Sequence, residues 1–317
     1  MPGSEKLAVL LFLGTVATLY VAAGGMLVRA AWARLTRRPR QLSRGHRWAR
    51  RIVFGLAGAG LLCMAYGRFV EPRWLEVTRV RIESARLAGA KRPMRIVHLS
   101  DLHCDDRAGL EERLPDVVAG LRPDVIVFTG DAANNREGME RFRRCMARLA
   151  AIAPTLAVRG NWDGEGDEIG GLFGGPGATE LDGEGMMVVV AGTEVWFAGA
   201  ALGRAGAIDA ALDAAPKGAC KVLLYHYPDP ILEVAARGDV DLQLSGHTHG
   251  GQVALPWYGA LVTLSRHGKR FEHGLYTVGD TRLYVSRGIG MEGGPTLRVR
   301  FCARPEVTLI ELVPPPA

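Results

Sequence analysis

Five short apolar runs in this chain each end on residues able to bind a metal ion. The most telling end is Gly246-His247-Thr248-His249-Gly250-Gly251-Gln252, which follows the run Val240-Asp241-Leu242-Gln243-Leu244. That run reads as a buried strand. Where it breaks into a glycine turn, both imidazoles can reach one crowded site, and the glycines let the backbone approach closely. The arrangement recurs upstream. Met94–Ser100 leads into Asp101-Leu102-His103, Val125–Phe128 into Thr129-Gly130-Asp131, and Thr155–Val158 into Arg159-Gly160-Asn161-Trp162-Asp163, while Lys221–Tyr225 ends at His226. Taken singly, Asp131 starts a turn, Asn161 caps one and His226 is a satisfied core histidine. Repeated at five strand ends, the pattern points to one site, because ligands of an open α/β sheet gather beyond the carboxyl ends of its strands. Mixed nitrogen and oxygen donors without a cysteine cluster suit manganese, iron or zinc.

The elements that must hold these residues follow from the stretches between them. Residues 111–120 read as a helix with Leu114, Val117 and Val118 on one face, and 139–150 as another. Residues 186–190 and 194–198, joined by Ala191-Gly192-Thr193, read as a hairpin. The tail supplies three more strands, at 275–278, 281–285 and 307–312. Strands alternating with helices make this an α/β domain, expected over 94–317 after a linker or lead-in strand at 71–93.

Residues 1–70 have a different texture. Leu7–Val28 is 22 residues without a charge, long enough to span a bilayer as a helix. Ile52–Val70 is a second apolar segment, interrupted by Arg68, whose small residues (Gly55, Ala57, Gly58, Ala59, Gly60) would let a helical hairpin pack closely. Between them, residues 29–51 hold nine arginines and no acid, so the net charge of +6 belongs to this block and the rest of the chain is net negative. The positive-inside rule makes the block a cytoplasmic loop and places the domain on the extracytoplasmic side. Arg50-Arg51-Ile52-Val53-Phe54 also resembles a twin-arginine export signal, although such signals normally lie near the start of a chain. If the second segment does not cross, the domain faces the cytoplasm instead. Five scattered cysteines (Cys63, Cys104, Cys145, Cys220, Cys302), read as free thiols, lean toward that alternative.

Together, Asp101-x-His103, Gly130-Asp131, Gly160-Asn161, His226 and Gly246-His247-x-His249 resemble the five-block signature of the calcineurin-like metallophosphoesterases. Leu244–Gln252, Val285-Ser286-Arg287-Gly288-Ile289-Gly290 and Arg304-Pro305-Glu306-Val307 further resemble a bacterial, membrane-anchored branch of that superfamily. The resemblance implies the metallo-dependent phosphatase fold, a four-layer αββα sandwich of two mixed β-sheets flanked by helices, here preceded by a transmembrane helical hairpin. It implies two divalent ions (Mn, Fe or Zn), one on Asp101, His103 and His249, the other on Asn161, His226 and His247, with Asp131 bridging. The implied reaction is hydrolysis of a phosphodiester, pyrophosphate or activated phosphate ester by a metal-bridging hydroxide.

One position departs from that pattern. Most of the superfamily has a histidine after the asparagine of the third block, taken to protonate the leaving group; here it is Trp162, which has no usable acid. A preference for diesters, pyrophosphates or aryl phosphates over alkyl monoesters follows. A lipid pyrophosphatase of the superfamily is similar in lacking that histidine, so with the anchor a lipid-linked substrate at a bilayer is expected. Asp163 is expected to be a stand-in acid or, preferably, a partner of a metal-bound histidine. Catalytic roles thus fall to Asp131, His226 and Asp163, and substrate contacts to Arg159, Arg266 and His267, the last two within a basic stretch that is equally readable as a solvated loop. Two rival readings stay open. A nuclease or cyclic-nucleotide phosphodiesterase would want a basic, aromatic-studded groove, and the negative balance outside 29–51 argues against nucleic acid. A non-catalytic metal-binding scaffold would fit the loss at Trp162 but not seven intact ligand positions. Sequence leaves the oligomeric state undetermined.

Overall fold

The computed structural model describes residues 2–37, 42–164, 172–173, 175, 177–204, 206–292 and 298–316. Two long helices come first, α1 (Gly3–Leu35) and α2 (Arg44–Phe69), both long and apolar enough to cross a membrane by length and composition. Much of the arginine-rich block is therefore helical, in keeping with the good helix propensity of arginine. The helices pair as a hairpin: Tyr20 of α1 donates its hydroxyl to the Ala57 carbonyl (3.0 Å) and lies over Gly60, where a Cβ would come within 2.6 Å of that oxygen.

Among the described residues, the domain that follows has fourteen strands and four α-helices. They are β1 (Glu76–Glu83), β2 (Met94–Leu99), α3 (Leu114–Leu121), β3 (Val125–Phe128), α4 (Arg136–Ala150), β4 (Thr155–Ala157), β5 (Thr179–Glu180), β6 (Glu184–Val190) and β7 (Thr193–Gly199). Then come α5 (Ala207–Asp213), β8 (Cys220–Leu224), α6 (Ile231–Ala236), β9 (Leu242–Ser245), β10 (Ala254–Leu255), β11 (Gly259–Ala260), β12 (Gly274–Val278), β13 (Thr281–Val285) and β14 (Glu306–Val313). They build two six-stranded mixed sheets, ordered β1-β14-β2-β3-β4-β5 and β12-β13-β9-β8-β7-β6. Each sheet has a parallel centre, β2-β3-β4 in the first and β13-β9-β8-β7 in the second. Parallel strands buried on both faces explain the continuous apolar runs.

Alternation along the strands sorts the core into layers. Ile96, Val125 and Val127 of the first sheet meet Phe197, Val222, Leu224 and Leu244 of the second between the sheets. The opposite neighbours, Val97, Ile126 and Phe128, face Leu114, Val118, Phe142 and Met146 of α3 and α4. On the far side, Ala198 and Leu223 take Ala211, Leu212 and Val234 of α5 and α6. The result is a four-layer αββα sandwich. The carboxyl ends of β2, β3, β4, β8 and β9 converge at one edge of the sandwich.

The helical hairpin is seated on this domain at both of its outer ends. Buried Glu5 of α1 accepts from the Thr263 hydroxyl (2.6 Å), and the Gly67 carbonyl of α2 accepts from the Arg300 amide (2.9 Å). Tyr66 packs edge-on against Phe301, with ring centroids 6.1 Å apart.

Candidate metal centre

The turns that follow the strands are built from left-handed backbone. Asp101 (φ 51°), His103 (39°), Asp131 (63°), His247 (69°) and His249 (52°) all adopt it. Non-glycine residues visit this region seldom, and clusters of them mark sites where function overrides local preference. The strain is held by backbone hydrogen bonds between neighbouring turns: Asp101 N–H to the Gly130 carbonyl (2.9 Å) and His103 N–H to the Asp131 carbonyl (3.1 Å). Glycines make the contact possible. A Cβ at Gly160 would strike the Asp131 carboxylate, and one at Gly246 would strike Ser100 and Asp101.

These turns bring the donors together. Asp101, His103 and His249 offer one atom each within 4.8 Å of one another, and so do Asp101, Asp131 and His226; all five residues are buried. Asp131 Oδ2 lies 3.5 Å from His103 Nε2 and 3.2 Å from His226 Nε2. His249 Nε2 is 3.3 Å from Asp101 Oδ1 and 3.2 Å from His103 Nε2. Asn161 Oδ1 lies 3.1 Å from His226 Nε2. His247 is buried beside them, its ring against His226 (5.2 Å between centroids) and Tyr227 (3.9 Å), and its backbone N–H donates to both oxygens of Asp101.

Charge in the cluster is unbalanced in a way that favours a cation. The ion-pair partners of Asp101 and Asp131 are imidazoles. Burial works to raise the pKa of both carboxylates, but His249 and His226 beside Asp101, and His226 and His103 beside Asp131, hold both well below the usual range. His226 pays for this: burial opposes its charge, yet Asp131 and then Asp101 raise it to about 9. Burial, with the charge of His226, lowers His247 to about 3, and burial lowers His249 as well. Neutral His247 and His249, with a His226 whose proton a cation would displace, stand beside two ionised carboxylates, and together they form a donor set suited to a divalent ion.

Outer partners fix which ring nitrogen faces inward. The Thr129 carbonyl accepts from His226 Nδ1 (2.6 Å), leaving Nε2 toward the cluster. Asn134 Oδ1 does the same for His103 Nδ1 (2.9 Å), and Asn134 is itself held because its Nδ2 donates to the His103 and Met291 carbonyls. His249 differs. Its Nδ1 lies 3.3 Å from Nη2 of buried Arg300, which can only donate, so the neutral ring carries its proton on Nε2, toward Asp101. An ion at Nε2 would use the lone pair there and shift the ring proton to Nδ1, which could then no longer accept from Arg300; Arg300 keeps the Gly290, Arg287 and Ala303 carbonyls as acceptors. The residues present therefore fit divalent cations.

The remaining expected site residues lie elsewhere or act differently. Asp163, fully buried, meets no histidine among the described residues: its carboxylate accepts from the N–H groups of Asp131, Ala132 and Gly160, clamping two turns together. Arg159 is committed to Glu180. Arg266 and His267 bond Asp229 rather than the cluster. Trp162 stands edge-on to His103 (5.5 Å) with its Nε1 donating to Glu292 (3.3 Å). Thr129, Asn134 and Arg300 escaped the sequence reading, since nothing in local spacing announces a partner that meets its histidine only after folding.

The family profile described as calcineurin-like phosphoesterase matches residues 94–251. The chain is 34% identical to the metallophosphoesterase YkuE of Bacillus subtilis (strain 168), across 82% of this chain and 94% of that one. It is 31% identical to phosphodiesterase YaeI of Escherichia coli (strain K12), across 78% and 92%. A transmembrane protein with metallophosphoesterase domain from Danio rerio is 28% identical across 83% of this chain and 63% of its own.

Asn134→Leu should free the His103 ring and weaken Mn²⁺ binding by about 10- to 100-fold in equilibrium dialysis. Unchanged affinity would show that Asn134 does not orient the ligand.

Proposed function

Because the chain belongs to the calcineurin-like phosphoesterase family and is a metal-dependent phosphoesterase, we propose that it works with a pair of divalent cations in the cluster just described. Asp101, His103 and His249 would hold one ion, Asn161, His226 and His247 the other, and Asp131 would face both. The observation carrying this assignment is the position of Asp131 Oδ2, within 3.5 Å of a histidine from each set. Bound there, the ions would supply Lewis acidity toward the phosphoryl oxygens and toward the attacking water. The protein's own part is positional. Thr129 and Asn134 aim two imidazoles, and Asp163 fixes the backbone of the Asp131 and Asn161 turns.

What leaves must leave without a proton from the residue after Asn161. The Trp162 indole donates to Glu292 and cannot protonate an alkoxide. Diesters, pyrophosphates and aryl phosphates are the preferred substrates on this reading, and a lipid-linked ester is favoured by the helical hairpin seated against the domain.

The hairpin also supports an orientation. Both of its outer ends rest on the domain, so the arginine-rich turn lies at the opposite end. With that turn in the cytoplasm, the domain is extracytoplasmic. The three buried cysteines do not oppose this. Cys104, Cys145 and Cys220 are buried, and burial pushes their thiols up, Cys145 to about 12, so they stay inert on either side.

With Mn²⁺ restored after chelation, wild type should turn over an aryl phosphodiester, and Asp131→Asn should lose more than about 100-fold, beyond the cost of an outer partner. Equal turnover by the variant would remove Asp131 from the chemistry. Trp162→His should raise alkyl-monoester turnover relative to aryl diester by at least about 100-fold, the lower range for general acid help; an unchanged ratio would mean that Trp162 does not set the preference. A periplasm-active reporter fused after Ala317 should be active, and a fusion active only in the cytoplasm would reverse the orientation.

A further inference from the structure

A cavity of about 950 Å³ opens beside the metal centre, with His103 in its wall. Five arginines line it: Arg68 from the last turn of α2, Arg73 just beyond that helix, then Arg107, Arg113 and Arg298 from the domain. Three acids also line it, and two are already engaged, Asp105 with Arg298 and Glu111 with the Gly109 amide. The lining is therefore net positive. The two helix-end arginines are fixed by the fold, since Arg73 donates to the Phe69 carbonyl (2.8 Å), Arg113 donates to the Arg73 carbonyl (2.6 Å), and the Arg68 guanidinium lies 5.5 Å from the Phe69 ring centroid.

The approach to this cavity is apolar. Leu61, Leu62 and Phe69 stand exposed on α2, the helix that carries Arg68, and exposed Val70 follows at its end. Trp74, half-exposed with Arg304 stacked 4.2 Å from its ring, marks the same helix end, as aromatic residues do at a membrane surface. Cationic side chains at the end of an apolar helix are the arrangement that captures anionic headgroups while acyl chains lie along the helix.

We infer that this cavity binds the phosphate-bearing headgroup of an anionic bilayer lipid and presents it to the metal centre from the membrane. This rests on the phosphoesterase reading for its catalytic meaning, but binding can be measured apart from it. A soluble phosphate ester would have no use for the apolar approach along α2, whereas a lipid uses both parts.

The test is made on the full chain, stripped of metal with chelator and placed in phosphatidylcholine nanodiscs doped with phosphatidic acid. Retained phosphatidic acid is counted by native mass spectrometry and titrated by tryptophan fluorescence. Wild type should retain phosphatidic acid over phosphatidylcholine, and millimolar inorganic phosphate should not displace it. The double variant Arg68→Ala, Arg107→Ala should bind about tenfold or more weakly, and Arg68→Lys, Arg107→Lys should recover most of the loss, which a merely misfolded cavity would not. Equal retention by the alanine variant, equal retention of the zwitterionic lipid, or displacement by inorganic phosphate would each overturn the inference. Because no turnover is involved, a chain that binds the lipid but hydrolyses nothing would count against the function proposed above and leave this site standing.

Discussion

Two carboxylates, Asp101 and Asp131, are buried together, and the surrounding structure answers that one electrostatic demand. Like charges placed side by side in a low-dielectric interior are costly unless something positive sits between or beside them. In this chain the answering groups are imidazoles, and His226 takes up charge because no lysine or arginine forms an ion pair with either acid among the described residues. A protonated histidine is a poor substitute for a dication. The cluster is therefore best understood as a cation site whose protein partners have been set in advance.

Setting them in advance takes most of the fold. Parallel strands from both sheets end at the same edge, which places five turns within reach of one another. Backbone bonds between the turns and glycines at the closest approaches then hold five left-handed ligand-type residues that would otherwise relax. Asp163 shows how far this goes. A buried carboxylate there satisfies three amides of two turns, so losing it would orphan those amides rather than remove a proton donor.

This division explains what the sequence made legible. The strand ends could be read because continuous apolar runs such as Val125–Phe128 stop abruptly at polar, glycine-flanked residues, and the observed β3 has those same limits. The helix expected over 111–120 is instead a short 3₁₀ turn at Leu110–Glu112 followed by α3, since Pro115 favours a helix start there. The two-residue strands β5, β10 and β11 and the short helices α5 and α6 carry too little periodicity to announce themselves. At the site, residue types revealed the inner donors, whereas the partners that orient them depend on tertiary contact: Asn134 lies 31 residues from His103, and Arg300 lies 51 from His249. Arg159, Arg266 and His267 stand out in the sequence by charge and proximity; in the structure Arg159 pairs with Glu180, the Arg266 backbone N–H with Asp229, and His267 Nε2 with the Asp229 carbonyl.

The helical hairpin is continuous with the cluster. Gly67 of α2 binds the backbone of Arg300, whose side chain faces His249, so the hairpin reaches the cluster through one residue. All of this presupposes that Asp131 stands between two ions. Anomalous diffraction at the manganese edge, from crystals of the full chain grown with Mn²⁺, tests it most directly. The account predicts two peaks per chain, one at Asp101, His103 and His249 and one at Asn161, His226 and His247, with Asp131 in contact with both. A single peak, or two peaks with Asp131 remote from either, would contradict it.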